Sequence, residues 1–434
     1  MNLIEDKSTL LSFLGGNVNI DLIIPVWSSH RAHPLGSRLS FLYYRQNDGS
    51  DGIINFNHID AKKLDKFDIS KLVHVNTLVL DNRYLNTQGL DYEWVYFEEN
   101  GKPFIFNEVV ESVYRGYRND FKELNDCVPL MKWYEILKTI PNISTRNEWN
   151  RKYTSAIQTL GRLEGAGVKV VREKFIDSFN FNEQYIRKND IVYTQYNPYT
   201  TTGRPSNRHL NVNYSALNKS DGTREMFISR HPHGTLIQFD YESYHIRLIA
   251  KMVGYEFPEG TTAHQHLANL YGCDLETAKK ITFTYLYGGL DDNAREIPFF
   301  QLVDKYIKKL YQSFVISGKL TTLLYKREIP FHRIESANEQ KVFNYLLQSL
   351  ETEINYMKIG EVLEFLMGKM SKMILYTYDA FLIDTHPVER EVILKSVTDI
   401  MERGGFPVKI EEGENYDNLE VISLKFIFIS YNYI

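Results

Sequence analysis

The sequence predicts an α+β protein with more than one domain. Apolar runs of strand length dominate residues 1–142, and helical periodicity alternates with further strands in the rest of the chain. The chain has 434 residues, and at about 100 to 200 residues per domain this length corresponds to two or three domains.

The composition excludes several classes of protein. With 43% hydrophobic and 24% charged residues, the chain is neither intrinsically disordered nor collagen-like. Two cysteines, Cys127 and Cys273, are too few for a disulfide scaffold or a cysteine zinc site. The formal net charge of −5 by itself argues against a nucleic-acid partner. Residues 143–233, however, carry 14 Lys and Arg against 8 Asp and Glu, so a basic excess is concentrated in one segment.

The first 142 residues predict a β-meander followed by mixed helical segments. Turn residues Asn-Asp-Gly-Ser-Asp-Gly lie between two of the apolar runs and indicate a hairpin. The predicted strands are Asn19–Trp27, Leu39–Arg45, Gly52–Phe56 and Leu72–Leu80.

The remaining elements follow from helical spacing and from short apolar runs. Residues 190–233 are polar and loop-like, and the apolar run 421–434 favours one or two strands over a membrane anchor. Helices are predicted over 155–171, 262–288, 337–370 and 387–403, and strands over 235–239, 372–378, 380–384 and 407–412. No secretory signal and no membrane-spanning run is recognised, so a reducing cytoplasm is expected.

Two aspartates lie at the ends of predicted strands. Asp240 follows an apolar strand, and Asp379 lies in the turn of the strand–turn–strand segment. An ionised acid beside an apolar strand is costly unless it is paired or metal-bound. Two such acids on adjacent strands could hold two Mg²⁺ ions for an in-line phosphoryl displacement. Each aspartate alone is better explained as the start of a turn.

A predicted helix carries a lysine and two aromatic residues on one face. Lys279, Phe283 and Tyr287 are spaced i, i+4 and i+8. A lysine can take a phosphate while flat rings pack against a base and sugar, so this face suits a nucleoside triphosphate. An amphipathic helix with an aromatic stripe is the alternative.

Seven motifs between about residues 155 and 420 occur in an order that resembles the family A DNA polymerases, the bacterial polymerase I type. No single motif is specific, but the ordered set is. The motifs are Thr202-Gly-Arg204, Asn211-x-Asn213, Asp240-Tyr241, Lys279-x3-Phe283-x3-Tyr287-Gly288, Asn344-x3-Gln348, Tyr378-Asp379 and Gly413-x-Asn415-Tyr416. In addition, Leu163–Val168 resembles the helix that opens the family's thumb.

The resemblance implies a right-hand polymerase with an antiparallel palm sheet, helical fingers and a thumb. Asp240 and Asp379 match the catalytic metal ligands, with Tyr241 lending a backbone carbonyl. The implied cofactors are two Mg²⁺ ions, for which Mn²⁺ would substitute. Residues at nucleotide-binding positions are Lys279, Phe283, Tyr287, His245 and His264, although His264 also fits a plain helix-surface histidine. Residues at DNA-binding positions are Arg204, Asn211, Asn213, Gly288, Asn344 and Gln348.

The chain departs from the family pattern at three site positions. His245 replaces the glutamate that lies under the sugar and excludes a 2′-hydroxyl, which puts the choice between deoxy- and ribonucleotides in doubt. Ala380 replaces the glutamate after the second palm aspartate, and Leu275 replaces an arginine for which Lys280 or Arg295 are candidate substitutes.

Two larger departures concern whole domains. Too few residues lie between Val168 and Thr202 for the family's two long thumb helices, so a reduced thumb is expected. The strand-rich N-terminus resembles a ribonuclease-H-like α/β exonuclease fold, but its first strand lacks the Asp-x-Glu pair, and Asp81 and Asp120 do not replace it. The expected domains are an inactive exonuclease-like domain (1–142), the thumb (143–190), palm (191–251 and 336–434) and fingers (252–335). An unrelated α/β domain at the N-terminus is the alternative.

The resemblance implies a template-directed DNA polymerase that extends a primer with dNTPs, without proofreading. A non-catalytic DNA-binding replication factor is the alternative, and a single-subunit RNA polymerase is a third candidate. The implied partners are primed DNA, dNTPs, and a processivity factor or separate exonuclease, with no membrane. The compartment would be the cytoplasm, that of the host cell for a compact phage-like form.

Overall fold

The computed structural model describes residues 1–16, 18–29, 31–64, 67–115, 125–219, 221–258, 260–289 and 291–422. Asp120 and the predicted strands beyond residue 422 lie outside these ranges. Two compact units are present, Met1–Tyr199 with Asn207–Tyr214, and Thr200–Ser206 with Ser215–Ile434. No helix in the described ranges is long and apolar enough to cross a membrane.

The first unit contains a six-stranded mixed sheet and helices. Its strands are β1 (Asn2–Ile4), β2 (Ile20–Trp27), β3 (Leu39–Gln46), β4 (Asp51–Asn55), β5 (Leu78–Val79), β6 (Leu90–Asp91), β7 (Val168–Val170), β8 (Ile191–Val192), β9 (Tyr196–Asn197), β10 (Ser206–His209) and β11 (Val212–Asn213). Its helices are α1 (Lys7–Leu14), α2 (Asn82–Leu85), α3 (Tyr92–Asn100), α4 (Phe106–Val113), α5 (Leu130–Leu137), α6 (Glu148–Ala166) and α7 (Arg172–Phe179).

The six-stranded sheet has the order β1-β4-β3-β2-β5-β6. Strands β2, β3 and β4 form the predicted antiparallel meander, whereas β5 and β6 run parallel to β2. Separate clusters of buried apolar side chains contain alternate residues of β2, such as Ile24 in one cluster and Ile23 in the other, so both faces of the sheet are covered. Because β2, β5 and β6 run parallel, their carboxyl ends lie at the same edge of the sheet.

Two predicted elements of the first unit differ from the structure. The strand predicted over Leu72–Leu80 is mostly a turn, and only Leu78–Val79 pair as a strand. His74 and Thr77 close this turn through backbone and side-chain hydrogen bonds of 3.0 Å, which removes them from a ladder. Helix α6 begins at Glu148 rather than 155, and it ends before Gly167, whose φ of 61° breaks the helix.

The second unit combines a five-stranded sheet with a set of helices. Its strands are β12 (Phe227–Ile228), β13 (Thr235–Tyr241), β14 (Lys319–Thr321), β15 (Glu328–Pro330), β16 (Lys372–Thr377), β17 (Ala380–Thr385), β18 (Val408–Gly413) and β19 (Glu420–Val421). Its helices are α8 (Tyr244–Val253), α9 (Ala263–Tyr271), α10 (Leu275–Gly288), α11 (Asp292–Arg295), α12 (Pro298–Ser317), α13 (Glu339–Phe365) and α14 (Arg390–Glu402).

The five-stranded sheet is antiparallel throughout and has the order β16-β17-β13-β18-β19. Sequence periodicity predicts its four longer strands close to their observed bounds. Helices α10 and α13 begin at side-chain caps: Asp274 accepts a hydrogen bond from the Thr277 amide, and Asn338 accepts one from the Lys341 amide. These helices and the central strand β13 carry most of the predicted site.

Candidate active site

The two predicted aspartates lie at the same end of the antiparallel sheet. Asp240 is near the end of β13 and pairs in register with Ala380, the first residue of β17. Asp379 occupies the two-residue turn between β16 and β17. The Tyr241 amide donates a 3.2 Å hydrogen bond to the carbonyl oxygen of Asp379. The sheet register thus brings the two residues together from positions far apart in sequence.

Both carboxyl groups have raised pKa values. Burial, together with the charges of Asp379 and Glu411, raises the pKa of Asp240 to about 7. Burial also raises the pKa of Asp379, with a further contribution from Glu351. Buried carboxylates that repel one another are stabilised by a cation between them.

The donor set fits a hard divalent cation in part. Carboxylate oxygens are the ligands that Mg²⁺ prefers, and Mg²⁺ commonly uses only one or two carboxylates, with water and substrate phosphates completing its shell. Among the described residues, no group of three or more His, Cys, Asp or Glu could hold a metal by itself. Asp240 and Asp379 would therefore need oxygen ligands from water or substrate.

Asp379 faces a polar cavity of about 220 Å³. The cavity is lined by residues from four helices, two loops and the β16–β17 turn, among them Arg204, His245, His264, Phe283 and Glu351. Helix α10 supplies the aromatic face predicted from sequence. The rings of Phe283 and Tyr287 stack with centroids 5.9 Å apart and planes inclined by 16°.

His264 is half-buried, and the charges of Lys279 and Arg247 act on it. Burial and these two charges together lower the pKa of His264 to about 4. The His264 ring lies 6.1 Å from the Phe283 ring, so this histidine faces the cavity rather than standing on an outer helix surface. Lys279 forms a 3.2 Å ion pair with Glu276 on its own helix, an exposed i, i+3 pair that a phosphate could replace.

His245 is held through both ring nitrogens. Its Nε2 lies 3.0 Å from a carboxylate oxygen of Glu351, and its Nδ1 contacts the hydroxyl of Tyr287. A neutral imidazole satisfies both contacts when Nε2–H donates to Glu351 and Nδ1 accepts from Tyr287. Burial and the charge of Glu351 raise the pKa of Tyr287 to about 12, so its hydroxyl keeps its proton.

Arg204 extends this network to the turn that carries Asp379. Its guanidinium lies 3.4 Å from Glu351 and 4.1 Å from the ring centroid of Tyr378. Tyr378 has a φ of 60°, an unfavourable conformation for a residue with a side chain. The side-chain amide of Asn355 donates a 2.7 Å hydrogen bond to the Tyr378 carbonyl and stabilises this turn.

Glu351 and Asn355 were not among the predicted site residues. Both are buried on α13, at 1% and 0% exposure. Together with Asn344 and Gln348 they follow the spacing i, i+4, i+7 and i+11, which defines one helical face. This run of polar residues inside a helix that is otherwise rich in buried apolar side chains is the pattern that could have identified them.

The other predicted positions are distributed over both units. Asn344 and Gln348 lie on α13, and Gly288 is the last residue of α10. Asn211 and Asn213 belong to the first unit, where the Asn211 amide donates weak 3.3 Å hydrogen bonds to the Phe179 and Asn180 carbonyls. Of the two candidates to replace the family's arginine, Arg295 pairs with Asp292 and Asp304, and Lys280 is exposed on α10.

The first unit contains a separate buried polar cluster at the carboxyl ends of its parallel strands. Arg83 bonds to Glu164 at 3.1 Å, to the Tyr199 hydroxyl at 2.8 Å and to a backbone carbonyl. Asp81 accepts a 3.0 Å hydrogen bond from the Trp27 indole. Burial raises the pKa of Asp91 to about 6 and that of Glu93 to about 8. The carboxylates thus lie in a buried polar network beside a guanidinium.

Comparison with known proteins gives a structural match without a sequence match. The fold is similar to the "POL domain of Pol1 from M. smegmatis", solved in complex with DNA primer-template and dNTP, with a TM-score of 0.66 and 13% identity. The match covers 96% of this chain and 99% of that chain. The chain shares the fold of a polymerase domain. No protein-family model and no curated protein sequence matches it.

Proposed function

We propose that the protein is a template-directed, DNA-dependent DNA polymerase that extends a primer 3′-hydroxyl with dNTPs. The observation that carries this proposal is the pair Asp240 and Asp379, two half-buried carboxylates at the same end of the sheet, of which Asp379 lines a cavity together with Phe283 of α10. The similarity to a polymerase domain solved with DNA and dNTP supports the same interpretation. Charge stabilisation and positioning account for most of the catalysis of phosphoryl transfer.

Asp240 and Asp379, with the Tyr241 backbone carbonyl, are the proposed ligands of two Mg²⁺ ions, with Mn²⁺ as a substitute. When bound, such ions supply charge stabilisation to the attacking and leaving oxygens of an in-line displacement. The raised pKa values of both carboxyl groups are consistent with cation binding, because a metal replaces the protons that otherwise relieve their repulsion.

The side chains around the cavity have distinct proposed roles. Lys279 and His264 bind the triphosphate, Lys279 as the charged donor and His264 as a neutral imidazole. Phe283 and Tyr287 pack against the base and sugar, and His245 lines the sugar site. Residues proposed to contact primer and template are Arg204, Asn211, Asn213, Gly288, Asn344 and Gln348.

The domain assignment is part of the proposal. Residues 191–251 and 336–434 would form the palm, 252–335 the fingers, and 143–190 a reduced thumb that grips DNA weakly without a partner. Residues 1–142 would be an inactive exonuclease-like domain. The mixed sheet, in which an antiparallel meander adjoins two parallel strands, is consistent with such a domain, and the Arg83 network beside Asp81 and Asp91 supports inactivity.

Primer extension on a primed single strand with dNTPs and Mg²⁺ tests this function. Wild-type protein should lengthen the primer, and Asp379→Asn should reduce the rate by about a thousand-fold, since it removes a proposed metal ligand. Asp399→Asn, an exposed aspartate on α14, is the matched control and should extend normally. Extension by Asp379→Asn at the wild-type rate would refute the assignment.

A non-catalytic DNA-binding replication factor is the second candidate. Ala380 and Leu275, which replace an acid and an arginine of the polymerase family pattern, favour it. Such a protein would bind primed DNA in a mobility-shift assay without incorporating any nucleotide. Incorporation that requires both a divalent ion and a dNTP separates the two functions.

A further inference from the structure

Glu351 is a buried carboxylate in the cavity wall whose position the proposed roles do not explain. Its exposure is 1%, and its two oxygens contact His245 Nε2 at 3.0 Å and Arg204 at 3.4 Å. A carboxylate buried to this extent is costly unless its partners are well placed. Both partners line the same cavity as Asp379.

The contacts of Glu351 restrict the imidazole of His245. Glu351 occupies one ring nitrogen and the Tyr287 hydroxyl occupies the other, so rotation of the ring breaks two hydrogen bonds in a half-buried environment. Three helices, α8, α10 and α13, each contribute one member of this set. The imidazole therefore forms a fixed part of the cavity wall.

The proposed function determines which part of a nucleotide this wall meets. The reacting phosphate must lie beside Asp379, and the phosphate tail must run toward Lys279 and His264. The sugar is attached to the reacting phosphate on the side away from the tail. Glu351 and His245 line the same cavity as Asp379, so these two residues flank the reacting position.

We propose that Glu351 is the positioning residue that holds His245 against the sugar of the incoming nucleotide and so makes the cavity select 2′-deoxyribonucleotides. This inference rests on the proposed polymerase function. A bound 2′-hydroxyl needs space and a hydrogen-bond partner. The fixed His245 ring fills the space, and both of its nitrogens are already hydrogen-bonded, to Tyr287 and Glu351. Without the Glu351 carboxylate, the Nε2 of His245 is free to bond the 2′-hydroxyl of a ribonucleotide, and the imidazole ring can rotate away from the sugar.

The test is the ratio of kcat/KM for dATP to that for ATP, measured on one primed template. This ratio does not depend on the fraction of active protein, so a loss of folded enzyme leaves it unchanged. Glu351→Ala and His245→Ala should each lower it by about ten-fold or more. Glu351→Gln, which still accepts from His245 Nε2, should retain most of the selectivity.

The double variant separates a positioning role from a direct one. If Glu351 acts through His245, the variant with both alanines should be no less selective than His245→Ala alone. Should Glu351→Ala not fold, Glu351→Asp serves instead, because the shorter side chain withdraws the carboxylate from His245 and keeps its charge near Arg204. A ratio unchanged by the Glu351 variants, or losses that add fully in the double variant, would overturn the inference and leave the polymerase function intact.

Failure of the polymerase function itself gives a different result. If wild-type protein extends no primer, equilibrium binding of dATP and ATP to the full chain with primed DNA replaces the kinetic ratio. A preference for dATP that Glu351→Ala abolishes would keep the role of Glu351 and refute the polymerase proposal. Equal binding of dATP and ATP would overturn the role of Glu351.

Discussion

The side-chain amide of Asn355 donates a 2.7 Å hydrogen bond to the backbone carbonyl of Tyr378, the residue that precedes Asp379. Tyr378 adopts a φ of 60°, so the turn carries strain that neighbouring contacts must offset. The Asn355 Oδ1 in turn accepts a 3.2 Å hydrogen bond from Tyr244. Asp379 is thus placed by α13 and α8 as well as by its own hairpin.

Asn355→Asp should impair extension without unfolding the protein. Aspartate has the same shape but cannot donate to the Tyr378 carbonyl when ionised, so the turn loses one hydrogen bond worth about 1 kcal/mol and gains a repulsion. We expect kcat to fall by about ten-fold. Steady-state primer extension measures this change, with the exposed Met357 of the same helix replaced by Gln as control. An unchanged kcat would show that the turn does not depend on Asn355.

Lys279→Ala should weaken nucleotide binding more than it slows chemistry. A charge-assisted hydrogen bond to a phosphate contributes about 1.5 to 3 kcal/mol, so KM for the dNTP should rise by about 10- to 100-fold. Lys305→Ala, an exposed lysine on α12, should leave KM unchanged. Equal KM values for both variants would contradict the triphosphate role of Lys279.

Arg83→Met should destabilise the first unit by about 3 to 5 kcal/mol. The substitution leaves Glu164 buried without its 3.1 Å partner, and removing one member of a buried ion pair is far more costly than losing a surface pair. Arg172→Met, which breaks partly exposed pairs with Glu183 and Asp190, should cost less than about 1 kcal/mol. Denaturant unfolding followed by tryptophan fluorescence suits this comparison, because all four tryptophans, Trp27, Trp94, Trp133 and Trp149, lie in the first unit.

The same fluorescence signal should show a loss of stability as pH rises from 6 to 8.5. Burial raises the pKa of Glu93 to about 8, whereas an exposed glutamate has a pKa near about 4.3. In this pH range the folded protein keeps a proton on Glu93 that the unfolded chain has already released. The stability that this proton contributes is therefore lost as the pH rises to the folded-state pKa of Glu93.

Glu93→Gln provides the matched control for this pH dependence. Glutamine keeps an acceptor for the Tyr199 hydroxyl, which lies 2.8 Å from Glu93, but it does not titrate. The variant should be more stable than wild type at pH 8.5 and should lose most of the slope between pH 6 and 8.5. Parallel pH profiles for the two proteins would mean that Glu93 is not the responsible group.

Sequence patterns predicted the parts of the fold that depend on local periodicity. Short apolar runs located β13 and the β16–β17 hairpin, and helical spacing placed Lys279, Phe283 and Tyr287 on one helix. The strand over Leu72–Leu80 was wrong because a turn closed by His74 and Thr77 interrupts its apolar residues.

The network around His245 could not be predicted in the same way. Glu351 lies 106 positions from His245, and their contact exists only because α13 packs beside α8. Asn355 acts on Tyr378 through an equally tertiary contact, 23 positions away. Residue type and helical spacing could identify a buried polar face on α13, but only the packed structure shows which groups that face holds.

Single-nucleotide extension by the full chain is the most direct test of the proposed polymerase. A primed template is offered with Mg²⁺ and one dNTP at a time, and the first unpaired template base is varied over all four bases. We predict that the primer grows by one nucleotide only with the complementary dNTP, and that Asp379→Asn prevents this growth. Absence of incorporation by wild-type protein, or incorporation independent of the template base, would contradict the account.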